Sequence, residues 1–70
     1  MKLLFEIGKL LFRQNNFKES IKVFESIVEA GKKFDEDYFV LLSYGFMARA
    51  KLRLGTFKPE EFKRIIKYLE

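Results

Sequence analysis

The chain has no cysteine, no histidine and no tryptophan, and only one proline. Without Cys or His, disulfide staples, zinc sites and haem ligation through those residues are excluded. No block of five like charges occurs, so there is no nucleic-acid-binding tail. The longest apolar run is Phe39-Val40-Leu41-Leu42, far short of the ~20 residues of a membrane span. The opening Met1-Lys2-Leu3-Leu4-Phe5 has the flavour of a secretion signal. Glu6 and Lys9 interrupt it, and no small-residue cleavage site follows. Four isolated glycines form no phosphate-binding loop.

What is there is apolar mass. Of 70 residues, 49% are hydrophobic, and nine are Phe. A domain this small buries only about 60% of its unfolded surface. Ordering it costs on the order of 100 kcal/mol. Either the core is unusually dense or part of the surface is kept for a partner. The net charge of +4 biases that partner toward acidity. The lack of Cys suits a cytoplasmic location.

Apolar residues recur at helical spacing throughout. Leu3, Leu4, Ile7, Leu10 and Leu11 mark a first helix, which Gln14-Asn15-Asn16 ends. Asn16 and Glu19 have capping-box spacing and open a second helix with the face Phe17, Ile21, Phe24, Ile27, Val28. Gly31 reads as the residue just past its end, with Lys32 and Lys33 beside the negative terminus. Asp35 reads as the cap of a third helix, Phe34 and Phe39 as its hydrophobic staple, and Glu36 and Asp37 as charges matched to its dipole. That helix continues through Leu41, Leu42, Tyr44, Met47, Ala48 and Leu52 to Gly55. Pro59, Glu60 and Glu61 open a fourth helix with the stripe Phe62, Ile65, Ile66, Leu69. No segment alternates with period two. The expected fold is all-α, with four antiparallel helices joined by linkers of about two, four and three residues.

The two halves repeat at an offset of forty: Leu4, Ile7, Gly8, Asn15 and Phe17 fall on Tyr44, Met47, Ala48, Gly55 and Phe57. The set Leu4, Ile7, Gly8, Leu11, Asn15, Phe17, Ser20, Phe24, Ile27 resembles the tetratricopeptide repeat, a helical hairpin used in arrays to bind proteins. Small residues at Gly8 and Ser20 let two helices approach, and Phe24 fills the groove above. The resemblance implies one domain made of two hairpins, residues 1–33 and 34–70. An up-down four-helix bundle is the alternative arrangement. The departures are a period longer than the family's, Lys51 at an apolar position, and a fourth helix whose stripe lies one or two residues late.

Nothing proposes catalysis, a metal or a cofactor. The three serines lack an evident base, and Asp35-Glu36-Asp37 lacks the spacing of a calcium loop. Two surpluses point to binding instead. Lys9 and Arg13, and Arg49 and Arg53, are each one helical turn apart and correspond under the repeat. The resemblance implies a shared concave groove where these four select an acidic peptide. The family's carboxylate-clamp subtype is not implied, since Phe5 and Gly45 occupy one pair of the positions it needs. Phe5 and Phe12, and Phe39 and Phe46, flank the main stripes of the odd-numbered helices and form a candidate hydrophobic face. A repeat array usually needs about three units, so a homodimer or a subunit of a larger complex is expected. The competing function is nucleic-acid binding by the basic third helix. Against it stand the weak charge excess and the acidic start of the fourth helix.

Overall fold

The structure is a computed structural model that describes residues 2–69, without the side chains of residues 62, 68 and 69. It is all-α: α1 Lys2–Arg13, α2 Phe17–Lys33, α3 Asp37–Leu54 and α4 Pro59–Leu69. Among the described residues there is no strand. α2 lies between α1 and α3, α1 also touches α3, and the backbone of α4 approaches α3 alone. The Cα atoms fill a slab of 29 × 29 × 13 Å. α4 therefore extends a row of helices and does not close a four-helix bundle.

The turns follow one rule. Asn15, Asp35 and Gly55 all take left-handed backbone conformations, with φ of 62°, 57° and 73°. After each of them the next N–H donates back across the helix end: Asn16 to the Leu11 carbonyl (2.9 Å), Glu36 to that of Gly31 (2.9 Å), Thr56 to that of Lys51 (2.9 Å). These 6→1 bonds satisfy carbonyls that a helix end leaves orphaned.

This pattern corrects the reading of the second turn. Gly31 is not past the end of α2 but inside it and buried, and α2 runs on to Lys33. Asp35 ends α2 and does not cap α3, whose N-cap residue is Glu36. With the cap shifted, the expected staple does not form, and Phe34 stays exposed. Asn16 is the N-cap of α2, as its position implies, but its side chain makes no capping hydrogen bond.

Two close approaches hold α2 to its neighbours. A Cβ on Gly8 would stand 2.8 Å from the Phe24 ring, so α1 and α2 meet only because that atom is missing. The Ser20 hydroxyl donates to the Gly8 carbonyl at 3.0 Å in the same buried notch. On the other side, Gly31 admits Val40 of α3. Phe24, Ile27, Val40 and Ala50 are fully enclosed, with Phe5, Val28 and Met47 nearly so.

Candidate interaction surface

The four phenylalanines expected on the surface are drawn into the core instead. Phe5 is only 5% exposed. Its ring meets those of Phe24, Phe39 and Phe46 edge-on, with centroids 5.7, 5.6 and 5.7 Å apart. Phe46 stacks on Phe24 at 5.2 Å. Phe12 stands edge-on to Phe46 and to Phe17, at 5.5 and 5.3 Å. Phe12, Phe39 and Phe46 are half-buried. Phe5 is therefore no docking anchor, and the other three are only partly accessible. Each such ring pair adds about 0.5–1.5 kcal/mol beyond area burial, which makes inward packing the better use of these side chains.

Burying Phe5 and Phe12 turns the other face of α1 outward. Leu3 is 76% exposed, Leu10 53%, Ile7 42% and Leu4 37%. Of the stripe expected to be the seam of α1, Leu11 is half-buried and the other four residues form its open face. α1 has two apolar faces, and helical periodicity alone does not choose between them. Gly8 does, because it lies three residues after Phe5 and four before Phe12 and marks the side where another helix can come close. A second open apolar face lies on α3, where Tyr38, Leu41, Gly45 and Leu52 are all exposed.

The expected basic residues frame the aromatic seam between α1 and α3. The Lys9 ammonium sits 5.3 Å from the centre of the Phe5 ring and 2.9 Å from a Glu6 carboxylate oxygen. Arg49 places its guanidinium 5.5 Å from the Phe46 ring centre. Because Phe5 and Phe46 touch, Lys9 and Arg49 border one seam from opposite helices. Arg13 and Arg53, one turn further along each helix, are exposed. The hydrogen bond from Lys9 holds the Glu6 carboxyl below its ordinary range; desolvation opposes it, and the charges of Lys9, Arg13 and Lys2 add to the lowering.

Lys51, which breaks the repeat pattern, has a structural use. Its ammonium binds a Glu61 carboxylate oxygen and so ties α3 to α4, while the Lys58 N–H donates to the other oxygen at 3.2 Å. Burial pushes the Glu61 carboxyl up. The bonds from Lys51 and Lys58 and the charges of Lys51 and Arg64 outweigh it, so the group ends below the ordinary carboxylate range. This pair lies in an open groove of about 450 Å³ between α2, α3 and α4, whose apolar lining includes Val28, Met47, Phe57 and Ile65. Its charged lining is mixed, with Glu25, Glu29 and Glu61 against Lys32, Lys51 and Arg64, which gives it no single charge preference. Of the stripe expected on α4, Ile65 is half-buried and Ile66 exposed, while Phe62 and Leu69 lie outside the described side chains.

Among the described residues, no cluster of acids is placed to hold a metal ion, and no helix is long and apolar enough to cross a membrane. The chain matches no protein-family model, no curated protein and no solved structure.

Proposed function

We propose that this chain is a small helical-repeat interaction module, similar to the tetratricopeptide repeat, that binds a helix of a protein partner and performs no catalysis. The observation that carries the reading is the outward stripe of α1. Leu3, Leu4, Ile7 and Leu10 present apolar side chains at helical spacing, the pattern that receives an amphipathic helix. A row left in water adds nothing to the stability of a chain that buries so little in total, and a contiguous exposed apolar row of this kind marks an interaction site. Affinity comes from this aliphatic row. Lys9 and Arg49 border the Phe5–Phe46 seam on the other side of α1, with Arg13 and Arg53 one turn further along, so these four bias the partner toward acidity through the overall positive field.

A photo-crosslinking residue at position 10, compared with one at Lys18 on the exposed side of α2, tests the reading in the native host. The expected result is capture of a discrete protein species from position 10 and not from position 18. Equal, diffuse labelling from both positions would end it.

A further inference from the structure

Phe5, Gly8 and Phe12 turn the inner side of α1 toward α2 and α3. Its outer side faces solvent, and the order of residues there defines what can cover it. Leu3, Ile7 and Leu10 follow one another at steps of four and three, the spacing of a coiled-coil seam. All three are exposed.

The two edges of this seam differ. Glu6 and Arg13 lie three residues after Leu3 and Leu10, so they stand along one edge. Both are exposed. Leu4 and Leu11 lie three residues before and four after Ile7, so they stand along the other. Lys9, the charge between Glu6 and Arg13, is turned away from the seam and over the Phe5 ring. Each edge therefore matches its own reverse. One carries an acid and then a base, and the other carries leucine at both places.

We propose that a second copy of this chain covers the row, with its α1 antiparallel to the first about a two-fold axis. Ile7 of each copy meets Leu10 of the other at the centre. Glu6 of each meets Arg13 of the other along one edge, and Leu4 meets Leu11 along the other. A parallel pair would instead set the charged edge of one copy against the leucine edge of the other, so charge selects the antiparallel direction. This rests on the interaction-module reading and names its partner. Each copy is positive overall. At physiological ionic strength charges more than about 8 Å apart are largely screened, and the Glu6–Arg13 pairs at the contact decide the fit. The seam is about three turns long and covers less than the ~800 Å² per partner of a standard interface. The dimer is therefore weak and forms between micromolar and millimolar concentration. A two-fold contact uses the same face on both copies, so assembly closes at two.

Sedimentation of the purified full chain at physiological salt, from micromolar to millimolar concentration, tests this. The parent is expected to pass from monomer to dimer and no further. Ile7→Glu places a carboxylate on the seam and is expected to stay monomeric; Leu10→Glu replaces it if circular dichroism shows a folding defect. Glu6→Arg and Arg13→Glu change exposed residues and set like charges across one edge. Each alone is expected to weaken the dimer roughly threefold or more. An equimolar mixture of these two is expected to regain the parent's association, because each supplies the charges the other lacks. Leu52→Glu, on the open face of α3, is expected to associate as the parent does. A parent that is monomeric throughout overturns the proposal, and so does growth past the dimer. So does a mixture that associates no better than its two components, or association lost with Leu52→Glu. A monomeric parent whose position-10 crosslinker captures a different protein refutes the dimer and leaves the interaction-module reading standing.

Discussion

A Cβ placed on Gly31 would lie 2.2 Å from Cγ2 of Val40, so α2 and α3 sit at a distance that only glycine allows. The backbone carbonyl of Glu36 is 3.3 Å from the same point, which leaves little room to shift. Gly31→Ala is expected to destabilise the chain by about 1–3 kcal/mol through overpacking. Adding Val40→Ala should recover part of that loss, so the double variant costs less than the sum of the two singles. Gly45→Ala has the opposite sign: nothing lies near its Cβ, and replacing a mid-helix glycine is expected to add about 0.5–1 kcal/mol. Urea unfolding of the four variants decides the matter.

Gly31 lies where local chemistry no longer decides between two structures. Four helices and the sites of all three turns are legible because each rests on local chemistry, and the Gly8–Ser20 notch because the small residues sit at the positions the repeat pattern gives them. Gly55 ends its helix as its type suggests. Gly31 does not, because a glycine near a helix end fits two causes equally: a left-handed backbone or a close neighbour. Asp35 takes the left-handed position instead, and Asp is a residue type that suits both a left-handed turn and a helix N-cap. α1 is the larger case. Its two apolar faces are both helical in period, and which one is buried depends on rings supplied by α2 and α3. That information is tertiary. The consequence runs straight to the candidate site, whose apolar part moves from Phe5, Phe12, Phe39 and Phe46 to Leu3, Leu4, Ile7 and Leu10.

Two fully buried serines make opposite predictions. Ser20 donates to the Gly8 carbonyl at 3.0 Å, whereas the Ser43 hydroxyl has no hydrogen-bond partner. Ser20→Ala is expected to cost about 0.5–1.5 kcal/mol, the usual net value of an internal hydrogen bond. Ser43→Ala removes a desolvated hydroxyl that gains nothing in return, and should be neutral or stabilising. Equal losses in thermal melts of the two would contradict this assignment.

The aromatic cluster should behave as core and not as surface. Phe46 touches the rings of Phe5, Phe12 and Phe24, while Phe34 is 66% exposed. Phe46→Leu forfeits three ring pairs and is expected to cost about 1–3 kcal/mol. Phe34→Leu should stay within about 0.5 kcal/mol of the parent. A chain of this length has a total stability of about 4–10 kcal/mol, so the first change is a large fraction of the whole. If Phe46→Leu left the unfolding midpoint unmoved, the cluster would not be the centre of the core.

Acid should release α4 before the other helices. α4 is held through α3, with Glu61 bound to Lys51 and to the Lys58 N–H across the join. The folded Glu61 carboxyl lies below its ordinary range, so the unfolded state binds the proton first. The stabilisation is therefore fully present above the ordinary carboxylate pKa and is lost as the pH falls through the lowered folded value. Amide exchange of α4 measured against pH is expected to show protection falling on acidification while α2 keeps its own. In Glu61→Gln there is no charge to lose, so α4 starts less protected at neutral pH and its protection no longer drops with acid. If the Gln variant kept the parent's acid response, the effect would have to come from another carboxylate, and Glu61 would not be the group that fastens α4.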